Sequence, residues 1–165
     1  MTVNHLCSLL MALCAEATAD FRMETPDGNA MKAPAIFDGY VPRKRSADGE
    51  DFPFVLIRPT GGSAGDEESS IDVKIIVGCA SQDDNGYRYA INVAERIRIA
   101  LAALPDRMLD RRFMLTMPVK WDLSDDQPWP SWLLSMDTQW TTRTPDLQIS
   151  DVADVLGYFR KEAYE

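Results

Sequence analysis

One histidine, His5, and three cysteines with no CxxC pair are all that this sequence holds of the commonest soft metal ligands. No four-ligand zinc cluster and no histidine-based catalytic triad can be assembled from them. Cys7, Cys14 and Cys79 are odd in number. The closest two, Cys7 and Cys14, would lie on one face of a helix but about two turns apart, too far for a bridge. They read as small buried hydrophobes in a reducing compartment. Positive charge is scarce as well: 17 basic residues against 26 acidic ones leave a net charge of -9. Such a chain repels phosphate backbones and lacks the counterion-release term of nucleic-acid binding, so no specific DNA binding is expected. The acidity fits a solubilising surface or a passage through which DNA slides without sticking. No apolar run approaches the about 18 residues of a membrane span. The opening LCSLLMALCAEATA is apolar, but no lysine or arginine precedes it and Glu16 falls where a signal peptidase would cut. Leu13 also stands before Cys14 where a lipoprotein signal needs a small residue, so an amphipathic helix is expected and not a leader.

What remains is the composition of a folded domain. With 165 residues, 45% of them hydrophobic and 26% charged, the chain is expected to form one domain over 1–165. Folding at this length buries roughly two-thirds of the surface of the unfolded chain. Ten prolines and nine glycines supply turns without a low-complexity tract.

Along the chain, Thr2 is placed to cap a helix carrying Val3, Leu6, Leu10, Leu13, Ala17 and Phe21 at three- and four-residue spacing, ended by Pro26-Asp27-Gly28. An irregular arm follows over 28–51, with Ile36 to Val41 as a short strand and Arg43-Lys44-Arg45 as a small basic cluster in a solvated loop. FPFVLIRP reads as a strand, TGGSAGDEESS as a flexible acidic loop, and IDVKIIVG as a second strand. In that second strand Ile71, Val73, Ile75 and Val77 share one face while Asp72 and Lys74 share the other, which leaves one sheet face wet or available to a partner. Tyr87, Ile91, Ala94, Ile97, Leu101 and Leu104 form one helical stripe that acidic residues precede and Pro105 stops. Two alternating segments, Phe113 to Trp121 and Trp132 to Trp140, predict a hairpin whose first strand lies at an edge or carries a bulge at Pro118. Ser150 is placed to cap a terminal helix over 150–162. The sum is an α+β fold: an antiparallel or mixed β-sheet covered on one face by helices, with an N-terminal helix and a short C-terminal one.

Little of this pattern is catalytic. TGGSAGDEESS lacks the lysine and hydroxyl of a phosphate-binding loop and is crowded with carboxylates, so Asp66, Glu67 and Glu68 are expected to face solvent, a lumen or a neighbouring subunit. Asp72-Val73-Lys74, with Asp51 and Asp66 to Glu68 upstream, has the acidic-x-lysine spacing of a magnesium-dependent nuclease, in which carboxylates hold the metal and lysine steadies the attacking water. Alternating charge on a wet strand face explains the same residues, and the acidic chain would repel a polyanionic substrate. Trp121, Trp132 and Trp140 fit core-facing strand positions, whereas Trp129, between Pro128 and Pro130 in a loop, is a candidate subunit contact.

The succession FPFVLIRP, acidic loop, IDVKIIVGCASQD, YRYAINVAERIRIALAAL and MPVKWDLSDDQPWPSWLLSMDTQW resembles the tail-terminator, or tail-completion, proteins of long-tailed phages and prophages. The likeness spans Phe52 to Thr142, with DDQPWPSW its most specific run. It implies an α/β subunit that forms a homohexamer on the tail tube, ends tube growth and offers a docking face to the head, with no cofactor and no active site. The tail-tube protein and a head-tail connector would be its partners, and the virion tail, assembled in the host cytoplasm, its location. Other connector proteins and minor tail components satisfy the same physical tests. The arm before Phe52 and the helix after Ser150 do not map onto the family.

Overall fold

The structure, a computed structural model, describes residues 3–26, 28, 30–40, 52–127 and 129–144. The expected Thr2 cap, the basic cluster Arg43 to Arg45, Asp51, Pro128 and the terminal helix over 150–162 lie outside these residues. The described chain runs α1 (Val3–Thr18), β1 (Met23–Glu24), β2 (Met31–Lys32), β3 (Ala35–Asp38), β4 (Phe54–Ala64), β5 (Glu68–Ala80), α2 (Tyr87–Ala102), β6 (Met108–Leu109), β7 (Phe113–Leu123) and β8 (Ser131–Arg143). This is the expected α+β architecture with a mixed sheet. β1 and β2 form a small antiparallel ribbon, and the main sheet has the order β3-β4-β5-β8-β7-β6. Its only parallel pair among the described strands is β3 with β4.

One face of the sheet carries the core because the period of two in three neighbouring strands is in register. Val77 pairs with both Val55 and Leu134, Ile75 with Ile57 and Met136, and Ile71 with Trp140, so each row delivers apolar side chains to the same side. Both helices lie over that face, and Leu6, Leu10, Ala90, Val93, Ile97 and Leu101 join one cluster with these strand residues. Each large side chain taken fully from water there contributes about 1.5–3 kcal/mol, before the entropy of ordering is charged against it.

Four expectations need correction. The N-terminal helix stops at Thr18, whose hydroxyl bonds back to the Cys14 carbonyl at 2.8 Å, and Phe21 leaves the helix to lie under the Arg96 guanidinium. Its buried stripe is Leu6, Cys7, Leu10, Cys14 and Thr18, while Val3 is exposed. The glycine-rich segment is mostly strand: β4 continues to Ala64 and β5 begins at Glu68. A register shift at Pro59/Gly61 accommodates the proline, and Gly62 lies so close to the Ser70 carbonyl that a Cβ there would collide with it. Trp121 is not core. Between Thr116, opposite Gln139, and Lys120, opposite Asp137, β7 spends three residues where β8 spends one. Met117, within this bulge at Pro118, and Trp121, farther along, are both exposed.

The second face is not uniformly wet either. Phe54 and Leu56 lie on it and are buried, Phe54 between the rings of Phe37 and Phe52 at 6.4 and 5.2 Å. Only its other end, from Arg58, Asp72 and Lys74 across to Lys120, is polar and open to solvent.

Candidate functional site

The polar end of that second face is a shallow concavity of about 440 Å³. It opens where the bulge carries β7 away from β8, and Thr60, Asp72, Thr116, Lys120, Asp137 and Gln139 contribute its polar groups. Asp72 and Lys74, two residues apart on β5, project to this side as their spacing requires. Gln139, directly opposite Asp72, donates from Nε2 to its carboxylate at 3.0 Å. Lys74 stands opposite Asp137 and its Nζ is 3.4 Å from the Asp137 carboxylate, which also has Lys120 across from it on β7. The side chains of this pair are 38% and 56% exposed, so solvent screening holds its contribution to about 0–1 kcal/mol. Asp72, the one acid of the nuclease-like pattern that falls here, already accepts a hydrogen bond from across the ladder, and Lys74 is paired with Asp137. Among the described residues no three histidine, cysteine or acidic side chains converge as a metal would need.

Asp66, Glu67 and Glu68 form the tip of the β4–β5 hairpin, at one end of the sheet. Three hydrogen bonds brace the backbone of the tip. Gly65 N–H donates to the Glu68 carbonyl at 2.9 Å, Thr144 N–H to the Glu67 carbonyl at 2.9 Å, and the Thr144 hydroxyl to the Gly65 carbonyl at 2.8 Å. The three carboxylates themselves are exposed, with no side-chain partner among the described residues.

Trp129 and Pro130 sit at the opposite end of the sheet, just before Ser131 opens β8. Thirteen residues of β8 separate them from the acidic tip, roughly 40 Å of strand, so the two sets of candidate contact residues do not form one site. Trp129 is 61% exposed. Its loop is held by Gln127, which accepts from Leu133 N–H at 2.7 Å and donates to the Leu133 carbonyl at 3.1 Å, and by Ser81 N–H donating to the Pro130 carbonyl at 2.9 Å. Trp132 turns inward, tilted against Tyr87, with its indole N–H on the Ser81 carbonyl at 3.1 Å.

Sequence reasoning missed a third feature. The turn from β6 to β7 presents Arg111 and Arg112, and Arg107 immediately precedes β6. Asp106, Arg107, Asp110 and Arg111 all take positive φ, between 52 and 59°. Nothing but the two aspartates hints at such a turn, since no glycine marks it. The imidazole of His5 donates to Asp110 at 3.0 Å and Arg112 lies 3.5 Å from the same carboxylate; the hydrogen bond first and the charge second hold Asp110 below the ordinary carboxylate range. Burial pushes the Cys14 and Cys79 thiols up to about 12, and all three cysteines are free and buried. No helix among the described residues is long and apolar enough to cross a membrane.

No protein-family model matches this chain, and no curated protein matches it either.

Proposed function

We propose that this chain is a structural protein of a long-tailed phage or prophage, a tail-terminator subunit. Copies of it close into a homohexameric ring on the tail tube, end tube growth and give the head-tail connector a docking face. One observation carries the reading: the segments whose succession resembles the family, from Phe52 to Thr142, fold as one continuous unit. β4, β5, β7 and β8 are neighbours in a single sheet and α2 packs on it, so the resemblance follows a folded body and not scattered runs. The net charge of -9 supports a subunit beside a DNA passage. A tube built from repeated head-to-tail contacts offers the same interface after each addition, and growth stops only when a different subunit covers it.

The competing reading, a magnesium-dependent nuclease, draws on Asp72 lining the concavity. The bonds of Asp72 to Gln139 and of Lys74 to Asp137 favour charge alternation on a solvated strand face instead.

Electron microscopy of a lysate made without this protein tests the proposal. Heads and tails that are made but not joined, with tails of abnormal length, are the expected result. Joined particles with normal tails would overturn it.

A further inference from the structure

We propose that copies of this chain associate head to tail through opposite edges of the main sheet, the acidic β4–β5 tip of one copy against the arginine turn before β7 of the next. The proposal deepens the assembly reading above and rests on it for the biological setting.

The placement follows from the register. Ser63 pairs with Ser70, Ser70 with Thr141, and Thr141 with Met114, so a single row crosses the sheet from the β4 edge to β7 at one end of the strands. Just beyond Ser63 comes the tip with Asp66, Glu67 and Glu68; just before Met114 comes the turn with Arg111 and Arg112, and Arg107 lies beside it. Excess charge of opposite sign therefore occupies the same end of the sheet at its two opposite edges. Within one copy the two clusters are separated by three strand spacings, roughly 14 Å, which is nearly twice the screening length of about 8 Å in physiological salt. They cannot neutralise each other in one chain. Asp110 is already engaged by His5 and Arg112, and Asp106 is the only other carboxylate of the turn, which leaves Arg107 and Arg111 without an ion-pair partner among the described residues. At the tip, Arg143 is the residue opposite Glu68 on β8, yet no ion pair joins them.

The edges also match in size. Past Ile57, where pairing with β3 ends, β4 shows Thr60, Gly61, Gly62, Ser63 and Ala64, small and exposed. Across the sheet, Met114, which pairs with Met108 of β6, and Met117, on the open part of β7, are 44% and 52% exposed. A second copy set level with the first brings the thioether side chains onto the small-residue edge at the same time as the tip meets the arginines. Because the two surfaces differ, the contact is heterologous and repeats, the geometry that a closed ring requires.

The test is a directional cross-link with the full chain. Glu68→Cys and Arg112→Cys variants are mixed at high concentration and low salt with a short bis-maleimide, the native cysteines being buried. A cross-linked dimer is expected in the mixture and in neither variant alone. Adding Asp66→Lys and Glu67→Lys to the first variant is expected to lower its yield by about tenfold, and adding Arg107→Glu and Arg111→Glu to the second to restore it, as complementary charge requires. Circular dichroism confirms that each variant is folded. Cross-linking of like with like, no cross-link, or a yield indifferent to charge reversal would overturn the contact. The readout uses purified chain alone: cross-linking by a chain whose loss leaves tails normal sinks the tail reading and keeps the contact, and the converse result sinks only the contact.

Discussion

Trp140 and Thr138, two residues apart on β8 and both buried, share a hydrogen bond in which the indole N–H donates to the threonine hydroxyl at 3.0 Å. That hydroxyl donates in turn to the Val73 carbonyl on β5 at 2.8 Å. A polar relay thus runs through the apolar face of the sheet, and no buried side-chain nitrogen or oxygen among the described residues lacks a partner. Thr138→Val keeps the shape and removes the relay, leaving the indole N–H unsatisfied. It is expected to cost about 1–3 kcal/mol, read from urea unfolding followed by tryptophan fluorescence. An unchanged midpoint would mean that the relay contributes nothing net.

Gly78→Ala tests the apolar end of the second face. A Cβ at that position falls on the ring of Phe54, which Phe37 and Phe52 hemm in from either side. Overpacking there is expected to destabilise by about 1–3 kcal/mol, and Phe54→Leu in the same chain to recover part of the loss. Additive costs in the double variant would show that the ring is not what the methyl meets.

The Asp72 and Lys74 pair makes two readings separable in a single assay. Plasmid DNA incubated with purified chain and magnesium or manganese is expected to stay intact, and Lys74→Ala to shift stability by no more than about 1 kcal/mol, the value of an exposed pair. Cleavage that disappears in Lys74→Ala would establish an enzyme and sink the structural reading.

Cys14 and Cys79, with thiols raised by burial from 9.0 to about 12, should not react with a maleimide at pH 8 in the folded chain. Reaction is expected to track unfolding by denaturant. The linkage sign follows: both groups favour the fold fully below pH 9, where the thiols are neutral in either state. That contribution is lost as pH rises from about 9 toward about 12, because unfolding then releases protons. Alkaline destabilisation that is unchanged in Cys14→Ala/Cys79→Ala would show that other groups cause it.

The order of the elements was legible because period and punctuation agreed. Ile71, Val73, Ile75 and Val77 alternate, and the structure places them on one face; the α2 stripe is followed by Leu104 in an extended conformation before Pro105, which ends the helix at Ala102. Strand character in Gly61 to Ala64 was not legible. Glycine, serine and alanine carry no local preference for a strand, and it is the ladder to Ile71, Ser70 and Ser69 that holds them there. Trp121 misled for a related reason. Its alternation with Phe113 and Leu115 is real and it pairs with buried Met136, yet it is 55% exposed where β7 has no described neighbour on its other side, and one strand cannot report which of its neighbours a helix covers. Of the contact residues, the acidic tip was visible as composition. The arginines opposite it were not, because only the register of four strands shows that the two share an end of the sheet.

The bulge at Pro118 bears on the fate of the chain before it meets any partner. From Thr116 to Leu123, β7 is an edge among the described strands, and it carries Met117 and Trp121 in the open. A straight strand of that kind would template newly made chains into amyloid-like stacks at the concentrations reached during a burst of synthesis. Proline has no N–H to offer such a stack, and three residues set against one throw the edge out of alignment. Replacing Pro118 would therefore show itself less in the melting temperature of the folded protein than in how much of it survives in the supernatant.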